Sequence, residues 1–119
     1  MFIGNKIDTL NLVGVSTLVV VPRIRTSQYL HALAQAIPAL AVSKPGRIAV
    51  EELPELRNVV LVDNTAGSDE LDKLMDAIKC TVDFREIFVW DETAREQKII
   101  TEQRKSFSNE DIINLQFTR

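Results

Sequence analysis

With 119 residues, 45% of them hydrophobic and 26% charged, the chain has the makeup of one small globular domain rather than of a disordered tail. Its 17 acidic and 14 basic residues give a formal charge of −3 and are interspersed along the sequence, which leaves no basic face to track nucleic-acid phosphates. A single cysteine, Cys80, excludes an internal disulfide, a single histidine, His31, leaves no Cys/His cluster for zinc, and the apolar run Leu18 to Val21 falls far short of the roughly 20 residues that cross a bilayer.

In chain order, residues 1 to 9 carry no motif, no apolar leader segment and no Arg-rich stretch, so no targeting address or compartment can be read there. Thr17 to Val21 is a β-branched run closed by Pro22, the pattern of a strand buried on both faces. Thr26 or Ser27 can cap a following helix in which Tyr29, Leu30, Leu33 and Ile37 recur at helical spacing, stopped by Pro38. Residues 39 to 57 hold Pro45, Gly46 and Pro54 without a sustained period and read as a long, exposed, mobile connection with a short turn near Glu51 to Leu53.

Asn58 to Val62 is a second buried-type strand, and Asp63-Asn64-Thr65-Ala66-Gly67 is its turn-rich exit. Ser68 caps a helix with Asp69 and Glu70 in its first turn and Leu71, Leu74, Met75 and Ile78 in one apolar stripe. Asp83 and Glu86 stand at capping-box spacing, with Val82 and Ile87 placed as a hydrophobic staple, so Phe84 to Trp90 reads as a short helix. Residues 91 to 105 are mostly Glu, Gln, Arg and Lys and predict a solvated helix or loop, and Ile112 to Phe117 reads as a last buried strand. The expectation is an α/β fold with an incomplete three-stranded, mostly parallel sheet and flanking helices.

Few residues announce chemistry. The glycines, Gly4, Gly14, Gly46 and Gly67, are scattered singly, so neither a dinucleotide fingerprint nor a Walker-type loop can be written. His31 has no Ser, Cys or carboxylate at a spacing that makes a catalytic pair, and Cys80 beside Lys79 is read as packing. Asp63 and Asn64 follow a strand carboxyl end, where open α/β sheets bind ligands, yet Asx residues are equally what the turn requires. Asp69, Glu70, Asp72 and Asp76 form a solvated helix face, Phe84, Phe88 and Trp90 pack in the core, and Arg23 with Arg25 brackets the first strand exit, where the two could meet an anion.

Four phrases carry a resemblance: Val15-Ser16-Thr17-Leu18-Val19-Val20-Val21-Pro22; Arg25-Thr26-Ser27 with Tyr29-Leu30; Glu52-Leu53-Pro54-Glu55-Leu56-Arg57-Asn58-Val59-Val60; and Asn114-Leu115-Gln116-Phe117-Thr118. In this order and spacing, residues 10 to 118 resemble the AMP-forming acyl-CoA synthetases, adenylate-forming ligases, of the fatty-acid, medium-chain type. The family's phosphate loop begins Thr-Ser-Gly-Thr-Thr-Gly; Thr118 matches its first residue, and Arg119 stands where serine is wanted.

The resemblance implies an internal fragment of the large N-terminal domain, a single partial AMP-binding domain over residues 1 to 119 with residues 1 to 9 unmatched, which stops at the start of the phosphate loop. It implies a family reaction in which ATP, a fatty acid and CoA give acyl-CoA, AMP and pyrophosphate with Mg²⁺. Thr118 is the one residue that the resemblance assigns to ATP phosphate binding; it assigns no catalytic, substrate or metal residue. Because transition-state stabilisation needs its whole constellation, the isolated chain is expected to bind no cofactor and to be inactive. The alternative is a non-catalytic module that associates with itself or with a partner through an uncovered sheet.

Overall fold

A computed structural model of the chain describes residues 3–87 and 94–116, which belong to two separate compact units. The first, 3–87, is α/β: helix α1 (Ile3–Leu12), strand β1 (Thr17–Val20), helix α2 (Tyr29–Ala36), a single turn α3 (Ala39–Val42), strand β2 (Asn58–Leu61), helix α4 (Glu70–Ala77), strand β3 (Thr81–Asp83) and a turn α5 (Phe84–Ile87). The three strands lie in the order β1-β2-β3, both pairs parallel, with Leu18 opposite Val59, Val19 opposite Val60, and Val60 opposite Val82. The register is pinned where the strands begin, since the Ser16 carbonyl accepts from the backbone N–H of both Arg57 (2.8 Å) and Asn58 (3.0 Å).

Strand alternation decides which face is covered. Leu18, Val20, Val59 and Leu61 share one face by period and register, and that face enters a single core with Leu30, Leu33 and Ile37 of α2 and its exit, Leu40 of α3, and Leu71 and Ile78 of α4 and its cap. Both crossovers therefore pack their helices on one side of the sheet, as two right-handed βαβ units that step in the same direction must. Val19 points to the other face and is 56% exposed.

Several expectations hold: β1, β2, α2 and α4 lie where the sequence puts them, the stripe of α4 faces the core, and the sheet has three strands; β1, however, is not buried on both faces as its apolar run predicts. The third strand is a different one. The expected strand 112–117 does not form over its described residues 112–116, where Ile112 and Ile113 are 80% and 90% exposed, while Phe117 lies outside the described residues. Its place is taken by Thr81-Val82-Asp83, which leaves α4 after a short turn anchored by buried Ile78 and Cys80 and so reaches β2 by a minimal crossover. Thr-Val-Asp is too short to show a period, and its Asp83 reads as a helix cap, a role it also fills: its carboxylate accepts from the Arg85 N–H at 2.9 Å.

The connection 39–57 is a correction as well. Most of its residues are exposed and the expected turn forms between Val50 and Leu53, but Leu40, Ile48, Val50, Leu53 and Leu56 are at most 5% exposed and belong to the core. The Val50–Leu53 bridge and the Arg57 guanidinium, which donates to the carbonyls of Pro54 (2.7 Å) and Leu56 (2.9 Å), satisfy backbone locally while these five side chains turn inward. Neither Thr26 nor Ser27 caps α2, whose N-cap is Gln28. The unmatched N-terminus contributes α1, which ends in a Schellman motif: Val15 N–H donates to Leu10 C=O (3.1 Å), Gly14 N–H to Asn11 C=O (3.2 Å), and Gly14 takes the left-handed conformation at φ +65°.

The second unit contains α6 (Ala94–Ser106), solvent-exposed over its described side chains as its composition predicts, with Arg104 and Lys105 in the last turn where they suit the helix dipole. Beyond it the Asp111 carboxylate accepts from the Ser108 N–H at 2.6 Å, forming the turn that precedes the irregular residues 112–116. Phe88 and Trp90, the rest of the expected short helix and aromatic group, lie outside the described residues. No helix among the described residues is long and apolar enough to cross a membrane.

Candidate functional site at the carboxyl ends of the strands

Parallel strands bring their carboxyl ends to one edge, so the segments after β1 and β2 become neighbours although 41 positions separate Arg23 from Asn64. Pro22, buried, ends β1 because it brings no N–H to the ladder. The chain then makes a tight turn in which Ile24 and Ser27 exchange both backbone hydrogen bonds at 2.9 Å and Arg25 adopts φ +55°, a left-handed position that costs a non-glycine residue about 1 kcal/mol. After β2, Asp63 closes an Asx-turn: its Oδ1 accepts from the Thr65 N–H (2.9 Å) and the Thr65 hydroxyl (2.6 Å). Ala66 and Gly67 follow in left-handed conformations and lead into α4.

Two contacts join these loops. The Asn64 side-chain amide donates to the Arg23 carbonyl at 2.8 Å, and Arg23 Nε meets Glu70 Oε1 at 3.2 Å, which ties the exit of β1 to the first turn of α4. Between them lies an open basin of about 450 Å³, lined by Arg23, Arg25, Asn64, Thr65, Ser68 and Glu70. Ser68 Oγ accepts from the Glu70 N–H at 3.3 Å and caps α4 from one residue outside its N-cap, Asp69. A neighbouring pair continues the polar edge: Arg85 grips Asp83 through Nε (3.0 and 3.1 Å) and through an Nη2–Oδ2 contact of 2.6 Å.

The charges set limits on the chemistry. The hydrogen bonds from the Thr65 hydroxyl and N–H hold the Asp63 carboxyl below the usual carboxylate range, and the Arg85 side chain does the same for Asp83. Thr65 and Asp63 thus place a hydroxyl against a carboxylate, but a carboxylate with a lowered pKa is a poor general base at neutral pH. Two guanidinium groups against the single Glu70 carboxylate give the basin net donor character, which suits an oxyanion better than a metal ion. Among the described residues no group of three or more His, Cys, Asp or Glu could hold a metal.

The other residues singled out in the sequence are not brought here. His31 is exposed on α2 and meets Gln35 one turn on, at 3.2 Å. Cys80 is fully buried and burial pushes its thiol pKa up, so it is a packing residue. Asp69 pairs with Lys73 at 2.8 Å and Asp76 with Lys79 at 3.6 Å, on the solvated face expected for α4. Thr118 lies outside the described residues. Sequence reading missed the basin as a unit because Arg23, Asn64 and Ser68 each have a local role; the rule that ligands gather at strand carboxyl ends was the one signal joining them. Comparison of the chain with protein-family models, with curated proteins and with solved structures finds no match.

Proposed function

We propose that residues 10 to 118 are a scaffold segment of the large N-terminal domain of an AMP-forming fatty-acyl-CoA synthetase, supplying sheet and helices but no reacting group. The observation that carries this reading is the order of the four phrases together with their placement: two of them run into adjacent parallel strands, Thr17–Val20 and Asn58–Leu61, as an open α/β nucleotide-binding sheet requires. In this reading Thr118 opens the phosphate loop, and ATP, Mg²⁺, CoA and the fatty acid are ligands of the whole enzyme.

The test has two arms. The chain alone, freed of contaminating synthetase, is assayed for octanoate-dependent ATP–pyrophosphate exchange, and none is expected. Residues 10 to 118 are then exchanged for the corresponding segment of an active medium-chain synthetase, and a soluble chimera that forms octanoyl-CoA is expected. Sustained exchange by the isolated chain, or a chimera that folds but never adenylates octanoate, overturns the reading.

A second reading, an interaction module, is favoured by the exposed Val19 and Ile24 beside the open edge of β1. It requires a defined oligomer or complex in sedimentation velocity and cooperative unfolding; concentration-dependent, open-ended aggregation counts against it.

A further inference from the structure

A second concavity lies away from the strand ends, between α1, β1 and α2. Its walls are Leu10, Leu18, Val20, Leu30 and Leu33, and its volume is about 200 Å³. Leu30 and Leu33 belong to the buried core and the other three are half-buried against it, so the walls are fixed by the packing of unit 3–87. A cavity of about 150 Å³ lined by aliphatic and aromatic side chains stays dry and takes up benzene, so this pocket has room for a ring or a short branched alkyl group and is too small for a long chain.

The polar residues of the pocket lie toward solvent. Lys6 is exposed and Thr9 half-buried, and Lys6 stands three positions before Thr9 and four before Leu10, so it shares a face of α1 with both at the pocket. The Thr9 hydroxyl is occupied by the Asn5 carbonyl at 2.8 Å. Lys6 is one of the lining residues and takes part in none of the ion pairs of the described residues, so the lining contributes one cationic side chain with no carboxylate partner. Half-buried Tyr29 completes the wall with an aromatic surface. We propose that this pocket binds a compact apolar carboxylate, an aryl or short branched-alkyl acid whose body fills the space between α1, β1 and α2 and whose carboxylate meets Lys6.

The proposal stands on unit 3–87 and is independent of the synthetase reading. Its test is a titration of the full chain with 3-phenylpropionate, and in parallel with neutral 3-phenylpropan-1-ol, followed in methyl-resolved ¹H–¹³C spectra. Saturable shifts are expected at the methyls of Leu10, Leu18, Val20, Leu30 and Leu33. An exposed ion pair contributes roughly a two- to five-fold gain in affinity, so Lys6→Ala and Lys6→Gln should each weaken the acid by that factor while the alcohol keeps its affinity within twofold. Non-saturating shifts, shifts centred elsewhere, a loss for the acid below twofold, or an equal loss for acid and alcohol overturn the proposal.

Discussion

Leu53 tests whether the connection between α2 and β2 is core or linker. The side chain is 2% exposed in the same cluster as Leu56 and Ile48, and truncating a leucine in such a place removes its transfer free energy and leaves a cavity, at about 2–5 kcal/mol. The described unit has roughly 85 residues, which at about 0.05–0.15 kcal/mol per residue gives a total stability of about 4–13 kcal/mol. Leu53→Ala is therefore expected to remove at least about 15% of the stability. At a urea m-value of about 1 kcal/mol per molar, a loss of about 3 kcal/mol lowers the midpoint by about 3 M. Circular dichroism at 222 nm across a urea series reads this directly. Val42, 80% exposed in the same connection, supplies the control, and Val42→Ala should stay within about 0.5 kcal/mol of the native chain. If Leu53→Ala shifts the midpoint by no more than Val42→Ala, with m unchanged, the segment does not carry the core and the packing argument fails.

Three further outcomes follow from single residues. The native pKa of Asp83 is lowered by Arg85, so the unfolded chain binds more protons; the contribution of the pair is fully present above the ordinary value of 3.8 and is lost as pH falls through the native pKa. Urea midpoints of the native chain and Asp83→Asn, measured from pH 7 down to pH 3, should converge toward acid, and a constant gap contradicts the assignment. Gly46 stands at φ +73° with room for a Cβ, its nearest neighbour Asn58 Oδ1 being 3.6 Å away, so Gly46→Ala should cost about 1–2 kcal/mol from the backbone alone, read as a lower midpoint. Cys80, fully buried with its thiol pKa raised, should react with a disulfide reagent only through opening of the fold, so labelling at pH 8 is slow in buffer and accelerates in sub-denaturing urea; immediate labelling places the thiol at the surface.

The legible parts of this fold were those whose signal is local. Leu71, Leu74, Met75 and Ile78 announce α4 through period alone, and the β-branched runs 17–21 and 58–62 announce strands through composition. What irregular backbone did not announce was the burial of five apolar side chains, Leu40, Ile48, Val50, Leu53 and Leu56, in a connection otherwise largely exposed. Pro45, Gly46 and Pro54 do interrupt regular structure between α3 and β2, but a loop that satisfies its own carbonyls through Arg57 and the Val50–Leu53 bridge is free to bury its leucines. The Gly14 signal at the end of α1 was present in the sequence, with Leu10 and Val15 at the spacing of a Schellman contact, and was lost because the preceding residues match no motif.

The third strand shows why topology has to be argued together with pattern. Residues 112 to 117 are more apolar than Thr81-Val82-Asp83, and composition alone ranks them first. Position along the chain reverses the order: residues leaving α4 are delivered to the free edge of β2 by one right-handed crossover, and the shorter the loop that must close, the smaller its entropic cost. Cys80 and Ile78, both buried, fix the turn that makes the delivery, and three residues then suffice because Val82 pairs with Val60 in a sheet whose other contacts are already made. The same geometry creates the basin. Once β2 lies parallel to β1 with Leu61 opposite Val20, the residues that follow each strand must meet, and Arg23, Asn64 and Glu70 are bound to one another by the register rather than by any spacing in the sequence.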